Sequence, residues 1–437
     1  MPAARGDGRI VTIDAIRGFA VCGILVMNIV SMGMPVYAYV DPHYYGGAHG
    51  ADLFAWEAAY VLADGKLRAL FTMLFGASLL LITDAAEDRT PGPARTYYAR
   101  IFWLFVFGML HAWFVWYGDI LVDYAIAGAI TFFARKWDKG AIGFAAFCLI
   151  GFSLAQNLVE YRDMQVLQTL ANAPHPPADA VQAWDKVLAQ TLPLPDTVAR
   201  EVDLYRGGFA DVFRMRAMTA HDYQTVYLPI GMPETLGFVL LGMLLYRLDF
   251  WSGGWSKRAY RWTIIAGAVT VPLYLPLVRA IEAHHFDPAF LPLADVVTLL
   301  LRPFLALAYA AAIILAVRKG AAGWLTQRLA AAGRMAFSNY LGTSLIMTTI
   351  FYGYGVGLFG QLHRAELYWL VIGQWVLILG WSPLWLRHFR YGPFEWAWRS
   401  LSRGHVWATG LWAQESSRPT CELTLRALAF LYARRVC

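Results

Sequence analysis

Charged side chains are scarce in this chain. Asp, Glu, Lys and Arg make up 15% of its 437 residues, whereas hydrophobic residues make up 58%. A soluble domain usually carries about 25% charged residues. The deficit excludes an ordinary soluble protein and indicates a chain whose solvent is largely lipid.

Cysteine is rare, and the common ligand-binding motifs are absent. The four cysteines, Cys22, Cys148, Cys421 and Cys437, have neither the spacing of a disulfide framework nor that of metal ligands. We therefore expect no metal and no permanently bound cofactor. The sequence has no glycine-rich phosphate loop and no nucleic-acid motif. Its net charge of +6 is better explained by cationic loops on the cytoplasmic side of a membrane than by nucleic acid.

Long apolar runs are abundant in this chain. A membrane-spanning helix needs about 20 mostly apolar residues. Ten runs satisfy this requirement and predict an all-α, polytopic membrane protein with ten spans: 15–33, 56–82, 101–117, 119–134, 141–158, 228–246, 262–281, 293–317, 335–353 and 366–386.

The orientation follows from the loops between these runs. Lys and Arg are concentrated in alternate connections, and cytoplasmic loops are the ones that retain them. With ten spans the alternation is consistent and predicts that both termini are cytoplasmic. Residues 1–403 are then a single transmembrane domain, followed by a tail, 404–437, without a clear span.

The longest connection, 159–227, is predicted to lie on the outer side. Two segments within it, 179–191 and 196–220, have helical periodicity. They are interpreted either as amphipathic helices packed on the outer face or as parts of a solvated loop.

The first span, "TIDAIRGFAVCGILVMNI", contains three polar groups. Asp14 and Arg17 are neighbours on a helix surface, and Asn28 returns to within about 40° of the same face. The three side chains are therefore predicted to share one inward stripe. An ion pair that anchors the helix and an interhelical hydrogen bond of Asn28 are the structural alternatives to a functional role.

The second span is interrupted at "LADGKLRAL". Asp64, Lys66 and Arg68 surround Gly65, which predicts a break in the helix that lines a watery cavity. Outward snorkelling of the two cationic side chains is the alternative.

A histidine and two carboxylates lie around a short turn in "GMLHAWFVWYGDILVDYA". The turn at Gly118 brings two helix ends together, so His111 and Asp119 are predicted to approach each other directly or through water. Asp123 follows Asp119 at i+4. A carboxylate beside a histidine fixes its tautomer and stabilises the imidazolium, which favours a general base.

Four further polar side chains occur within or near spans: Glu234, Arg302, Arg334 and Asn339. Ionisable residues at membrane depth are costly, so they are candidates for function. Glu234 is predicted at the depth of Lys66 and His111, in the outer half. Arg302 and Arg334 are predicted deeper or towards the cytoplasm.

The chain resembles a known family in five ordered motifs between about residues 9 and 403. They are "IDAIRGFAVCGILVMNI", "DGKLRALFTMLFGAS", "GMLHAWFVWYGDILVDYA", "GRMAFSNYLGTS" followed by "FYGYGVGLFG", and "RHFRYGPFEWAWRSL". On these motifs the chain is identified as a member of the YeiB-like family of bacterial inner-membrane proteins, known as domain of unknown function 418.

The N-terminal motif also resembles that of transmembrane acyltransferases such as heparan-α-glucosaminide N-acetyltransferase. That resemblance implies transfer of an acyl group from cytoplasmic acyl-CoA to a periplasmic or membrane-embedded acceptor. His111, oriented by Asp119, would be the base, and Asn28 would stabilise the oxyanion. A larger set of polar residues would bind the substrates: Asp14, Arg17, Lys66, Arg68, Glu234, Arg302, Arg334 and Asn339.

Two other functions fit the same residues. The buried charges would form a relay in a transporter or flippase for a small or lipid-linked solute, or they would serve packing in a non-catalytic scaffold. The expected partners are the lipid bilayer and a small-molecule, glycan or lipid acceptor, and a homodimer is compatible with the sequence.

Overall fold

The computed structural model describes residues 11–88, 90–192, 194–320 and 323–404, and they fold into helices connected by short turns. The helices of the first half are α1 (Val11–Gly33), α2 (Ala51–Leu62), α3 (Lys66–Asp84), α4 (Pro93–Phe114), α5 (Leu121–Thr131), α6 (Lys139–Ala171), α7 (Ala178–Thr191) and α8 (Pro195–Arg206). Those of the second half are α9 (Phe209–Asp222), α10 (Leu228–Arg247), α11 (Lys257–Ala283), α12 (Leu291–Lys319), α13 (Gly323–Arg334), α14 (Ala336–Phe351), α15 (Arg364–Trp385) and α16 (Pro393–Arg403).

Seven helical stretches within the described residues are long and apolar enough to cross a membrane. They are Val11–Gly33, Ala51–Asp84, Lys139–Ala171, Phe209–Arg247, Lys257–Ala283, Leu291–Lys319 and Arg364–Trp385. The prediction of an all-helical, multi-pass membrane protein is therefore confirmed.

Three of the ten predicted spans fall on α4, α5 and α14, which are not among these seven stretches. At 1.5 Å per residue, the 11 residues of α5 and the 16 of α14 reach only about 16 Å and about 24 Å. The apolar layer is about 30 Å thick. The count of ten spans and the orientation of the termini stay predictions.

The break predicted in the second span is present. Helix α2 ends at Leu62 and α3 begins at Lys66, with Gly65 between them at φ +68°. Glycine adopts this left-handed conformation without the steric cost that a side chain would add.

The long connection predicted for 159–227 is more helical than expected at both ends. Helix α6 continues to Ala171, because the polar residues after 158 include good helix formers that extend the helix out of the apolar layer. At the other end, a π-helical turn, Tyr223–Tyr227, joins α9 to α10 without interruption.

The amphipathic segments within that connection pack onto the bundle, so the alternative of a solvated loop is wrong. The second predicted segment, 196–220, is divided at Gly207 into α8 and α9. These helices bury Val202, Tyr205 and Val212 in an apolar cluster that also contains residues from α1, α14 and α15. The connection is therefore a cap on one end of the helix bundle.

Helix α1 is the centre of the fold and contacts α3, α12, α13, α14 and α15. Its crossing with α13 is very close, because Gly18 and Gly333 face each other where the two backbones meet. Small residues allow such approaches between membrane helices. The predicted tail lies outside the described residues except for Gly404.

Candidate functional site

The most suggestive pair of side chains is His111 near the end of α4 and Asp119 just before α5. His111 Nδ1 lies 2.8 Å from Asp119 Oδ1, and both residues are buried. The other carboxylate oxygen of Asp119 accepts a hydrogen bond from Val122 N at 2.9 Å. The predicted direct approach of the two residues is confirmed, and the carboxylate is itself held in place by α5.

The second imidazole nitrogen, Nε2 of His111, is buried and has no hydrogen-bond partner within the described residues. A histidine that donates through Nδ1 to a carboxylate carries its lone pair on Nε2. This is the arrangement of a general base that is ready to accept a proton.

The turn that holds this pair is shaped by its neighbours. Gly108 makes room for Asp119, since a Cβ at this glycine would lie 2.9 Å from Asp119 Oδ2. Arg216 from α9 is fully buried and donates hydrogen bonds to the carbonyl oxygens of Trp113 and Val115, at 2.9 and 3.0 Å. The helical cap therefore fixes the end of α4, which the sequence did not reveal.

A second polar cluster joins three helices inside the bundle. Glu234 of α10 forms ion pairs with Arg302 of α12 and, at 3.4 Å, with Arg68 of α3. Gly65 lies directly against Arg302, because its missing Cβ would lie 2.8 Å from the guanidinium carbon. The prediction that Arg302 lies deeper than Glu234 or towards the cytoplasm is wrong, because the ion pair places its guanidinium at the level of Glu234.

Lys66 and Asp64, on either side of Gly65, are both engaged. The Lys66 ammonium is buried, donates to the Tyr60 carbonyl oxygen at 2.5 Å and lies 3.9 Å from the centre of the Tyr274 ring. Asp64 accepts a hydrogen bond from the Tyr39 hydroxyl at 3.0 Å. Lys66 therefore points into the protein, and the alternative of outward snorkelling is wrong for this residue.

Tyr223 is a further polar residue near these groups. It lies in the π-helical turn, donates to Asp123 Oδ2 at 3.5 Å and is within electrostatic range of Arg68 and Asp119. Sequence reasoning missed Tyr223, because a π-helical turn has no clear sequence signature, although such turns are frequent at functional sites.

Arg68 is the partly exposed member of this cluster. Its side chain is 42% exposed, although Glu234, Asp123 and Tyr124 from two other helices surround its guanidinium. One oxygen of Asp123 is buried without a hydrogen-bond partner within the described residues.

The polar residues of α1 are only partly brought to this region. Asp14 and Arg17 form the expected ion pair at 2.9 Å, and Arg17 also donates to Ser78 of α3 at 3.0 Å. Asn28 is half-buried, and its amide forms no hydrogen bond within the described residues. The ion pair therefore links α1 to α3, and Asn28 keeps its hydrogen-bonding capacity.

Arg334 and Asn339 lie at the other end of the bundle from the cap. The close crossing of α1 and α13 places Arg334 at the same end as Arg17, where it donates to the Arg390 carbonyl oxygen at 3.4 Å. The Asn339 amide donates to Ala332 and Ser382 and accepts from Trp381. These bonds connect α13, α14 and α15, which favours a structural role for Asn339.

Metal chemistry has no evident site in the described part of the chain. No group of three or more His, Cys, Asp or Glu side chains there is arranged to hold a metal ion.

Comparison with known proteins shows which sequences this chain resembles. Residues 221–405 match the family described as "Protein of unknown function (DUF418)". The uncharacterized protein YeiB of Escherichia coli is 30% identical over 401 residues, which cover 90% of this chain and 96% of YeiB. The uncharacterized protein YxaH of Bacillus subtilis is 27% identical over 418 residues, 90% of this chain and 94% of YxaH.

Proposed function

This chain belongs to the DUF418 family, since it matches the family model and is similar to YeiB over nearly its full length. We propose that it is an integral-membrane acyltransferase. In this proposal the protein lies in the bacterial inner membrane with ten spans and both termini in the cytoplasm. It moves an acyl group from cytoplasmic acyl-CoA to a small-molecule, glycan or lipid acceptor that is periplasmic or embedded in the membrane.

The observation that carries the proposal is the buried His111–Asp119 pair with a free Nε2. Nε2 takes the proton of an acceptor hydroxyl or amine while the acceptor oxygen or nitrogen attacks the thioester carbonyl carbon. The carbon–sulfur bond breaks, the acyl group passes to the acceptor, and the CoA thiolate recovers the proton from the imidazolium. Asp119 stabilises the imidazolium between these two proton transfers.

The charged cluster supplies the acceptor side of the proposed site. Polar parts of the acceptor are proposed to bind between the partly exposed Arg68, which offers a donor group, and Asp123, whose unpartnered oxygen offers an acceptor group. Tyr223 donates to Asp123 at 3.5 Å, and the acceptor is proposed to reach the base from this side.

The donor side of the proposal uses the opposite end of the bundle. Arg17 and Arg334 lie at one end of the α1–α13 crossing, where cationic groups would attract the phosphates of acyl-CoA. Asn28, with its amide not used in hydrogen bonds within the described residues, is proposed to donate to the carbonyl oxygen as negative charge develops there.

The direct test uses the purified full-length protein in lipid nanodiscs. It is incubated with radiolabelled acetyl-CoA or a longer acyl-CoA, and binding, hydrolysis and transfer are measured. His111→Ala is expected to slow turnover by about 100-fold or more, because a general base contributes about 10²–10⁴-fold. His175→Ala, which changes an exposed histidine, is the matched control and should react normally. Absence of acyl-CoA binding and turnover in the wild type would refute the proposal for the donors tested.

Transport is the second candidate, because Glu234 joins two arginines beside a broken helix within the bundle. Such interruptions line substrate paths in many transporters. A transporter would lose uptake into proteoliposomes in Glu234→Gln without any acyl-CoA turnover in the wild type. An acyltransferase would turn over acyl-CoA in the wild type and would show no uptake that depends on Glu234.

A further inference from the structure

A cavity of about 670 Å³ lies between the segment 36–50 and helix α8, apart from the site proposed for acyl transfer. Ligand cavities in proteins are typically about 300–1,000 Å³. One wall carries the rings of His43, Tyr44 and Tyr45, and the other is the largely apolar face of α8 that ends at Asp203.

The walls of this cavity are fixed by hydrogen bonds to the rest of the protein. The Tyr45 hydroxyl donates to the Gly360 carbonyl oxygen at 2.7 Å, and Arg364, which is buried, donates to the Ala38 carbonyl oxygen at 2.6 Å. Glu201 of α8 accepts from Val36 N at 3.0 Å and so ties the two walls together. The cavity is therefore built before any ligand arrives.

Asp203 is the carboxylate that lines the cavity, and the cationic Arg364 is buried behind the wall. Asp203 is exposed at its edge and forms no ion pair within the described residues. Asp41 lies behind the wall and holds His43 Nδ1 at 2.9 Å. No lysine or arginine is among the lining residues. Aromatic faces combined with an unpaired carboxylate suit a cationic ligand, which is attracted to both.

We propose that this cavity binds a small organic cation, an amine or quaternary ammonium group carried on an apolar or aromatic body. The ammonium group lies near Asp203 and the rings of Tyr44 and Tyr45, and the apolar body lies against α8.

The position of the cavity gives such a ligand a place in the proposed reaction. Val202 lines the cavity and belongs to the apolar cluster that contains Trp116 and Tyr117. The Trp116 ring is 6.4 Å from the His111 ring. The cavity and the His111–Asp119 pair thus border the same apolar cluster, and in this role an amine acceptor would collect in the cavity before transfer. This role, unlike the binding itself, rests on the proposed function.

The test measures binding to the full-length protein in nanodiscs by titration calorimetry. The probes are benzyltrimethylammonium, neutral benzyl alcohol, anionic phenylacetate and N-acetylglucosamine. We expect saturable binding of the cation alone. Asp203→Asn should weaken it at least about tenfold, Tyr44→Ala should weaken it, and Tyr44→Phe should preserve it because the ring face remains. Asp185→Asn, which removes an exposed carboxylate of α7, is the matched control.

Several results would overturn the inference. They are equal binding of benzyl alcohol or phenylacetate, binding of N-acetylglucosamine in place of the cation, and wild-type affinity in Asp203→Asn. The variant His111→Ala separates the two proposals, since it should bind the cation as the wild type does. Cation binding without acyl-CoA turnover refutes only the acyltransferase, and turnover without cation binding refutes only the cavity's role.

Discussion

Asp119 accepts a hydrogen bond from His111 across the short turn between α4 and α5, at 2.8 Å. The two residues belong to different helices, and the carboxylate is held by the first turn of α5. The imidazole is therefore fixed in one orientation before a substrate binds, and its unpartnered nitrogen sets the direction from which the substrate has to arrive.

Asp119→Asn tests whether this carboxylate acts through its charge. The amide can still hydrogen-bond the imidazole, but it cannot stabilise an imidazolium in the same way. We expect acyl-CoA turnover to fall at least about 100-fold while the melting temperature stays close to that of the wild type. Asp163→Asn, which changes an exposed carboxylate, serves as the control. Unchanged turnover in Asp119→Asn would remove Asp119 from the proposed reaction.

Glu234→Gln tests the buried charge cluster. Without the carboxylate, Arg302 and Arg68 lose their common counter-ion, and breaking a buried pair costs about 3–5 kcal/mol. We expect a lower melting temperature in detergent. The double variant Glu234→Gln/Arg302→Gln should recover part of the loss, since it also removes the Arg302 charge that Glu234→Gln leaves without a counter-ion.

The control for this cycle is Glu160→Gln on the exposed part of α6. Additive losses in the double variant would show that Glu234 and Arg302 do not stabilise each other.

Gly333→Ala tests the close crossing of α1 and α13. A Cβ at this position would lie 2.7 Å from Gly18 N, so the helices have to separate, and overpacking of this kind costs about 1–3 kcal/mol. Gly151→Ala on α6 is the matched control, because a Cβ there meets nothing within 4 Å. It should leave the melting temperature unchanged or raise it, since alanine is the better helix former. The same response of both variants would contradict the close crossing.

Glu201→Gln tests a pH dependence of the cap. Burial raises the pKa of the Glu201 carboxyl from its ordinary value to about 7. The folded state therefore binds the proton more tightly than the unfolded state. The contribution to stability is fully present below about pH 4.5 and is lost as the pH rises through about 7.

The wild type should therefore lose up to about 3 kcal/mol between pH 4 and pH 8 from this group, and Glu201→Gln should lose correspondingly less. Thermal unfolding at a series of pH values measures the difference, with Asp196→Asn on the exposed side of α8 as the control. Parallel pH curves for the wild type and Glu201→Gln would show that the carboxyl is not buried as described.

Several features of the fold and site follow from local sequence alone. Gly65 among charged residues predicted the break before α3, because glycine adopts φ +68° without steric cost. The short turn after α4 predicted the contact between His111 and Asp119, because two residues eight positions apart have few ways to separate. By contrast, the extension of α6 to Ala171 was missed, since loss of hydrophobicity marks the end of the apolar layer and not the end of a helix.

The sequence by itself indicated that the solvent of this chain is largely lipid, that the polar groups of the first span share one face, and that one histidine has a carboxylate within reach. Only the tertiary structure decided that Arg302 meets Glu234, that Tyr223 meets Asp123 and that Arg216 holds the end of α4. Hydrophobicity and periodicity depend on residues that are close together in the chain, so they can be read directly from the sequence. Pairing between distant helices depends on how far each is rotated and shifted against the next, and contacts such as Gly18 with Gly333 set that offset.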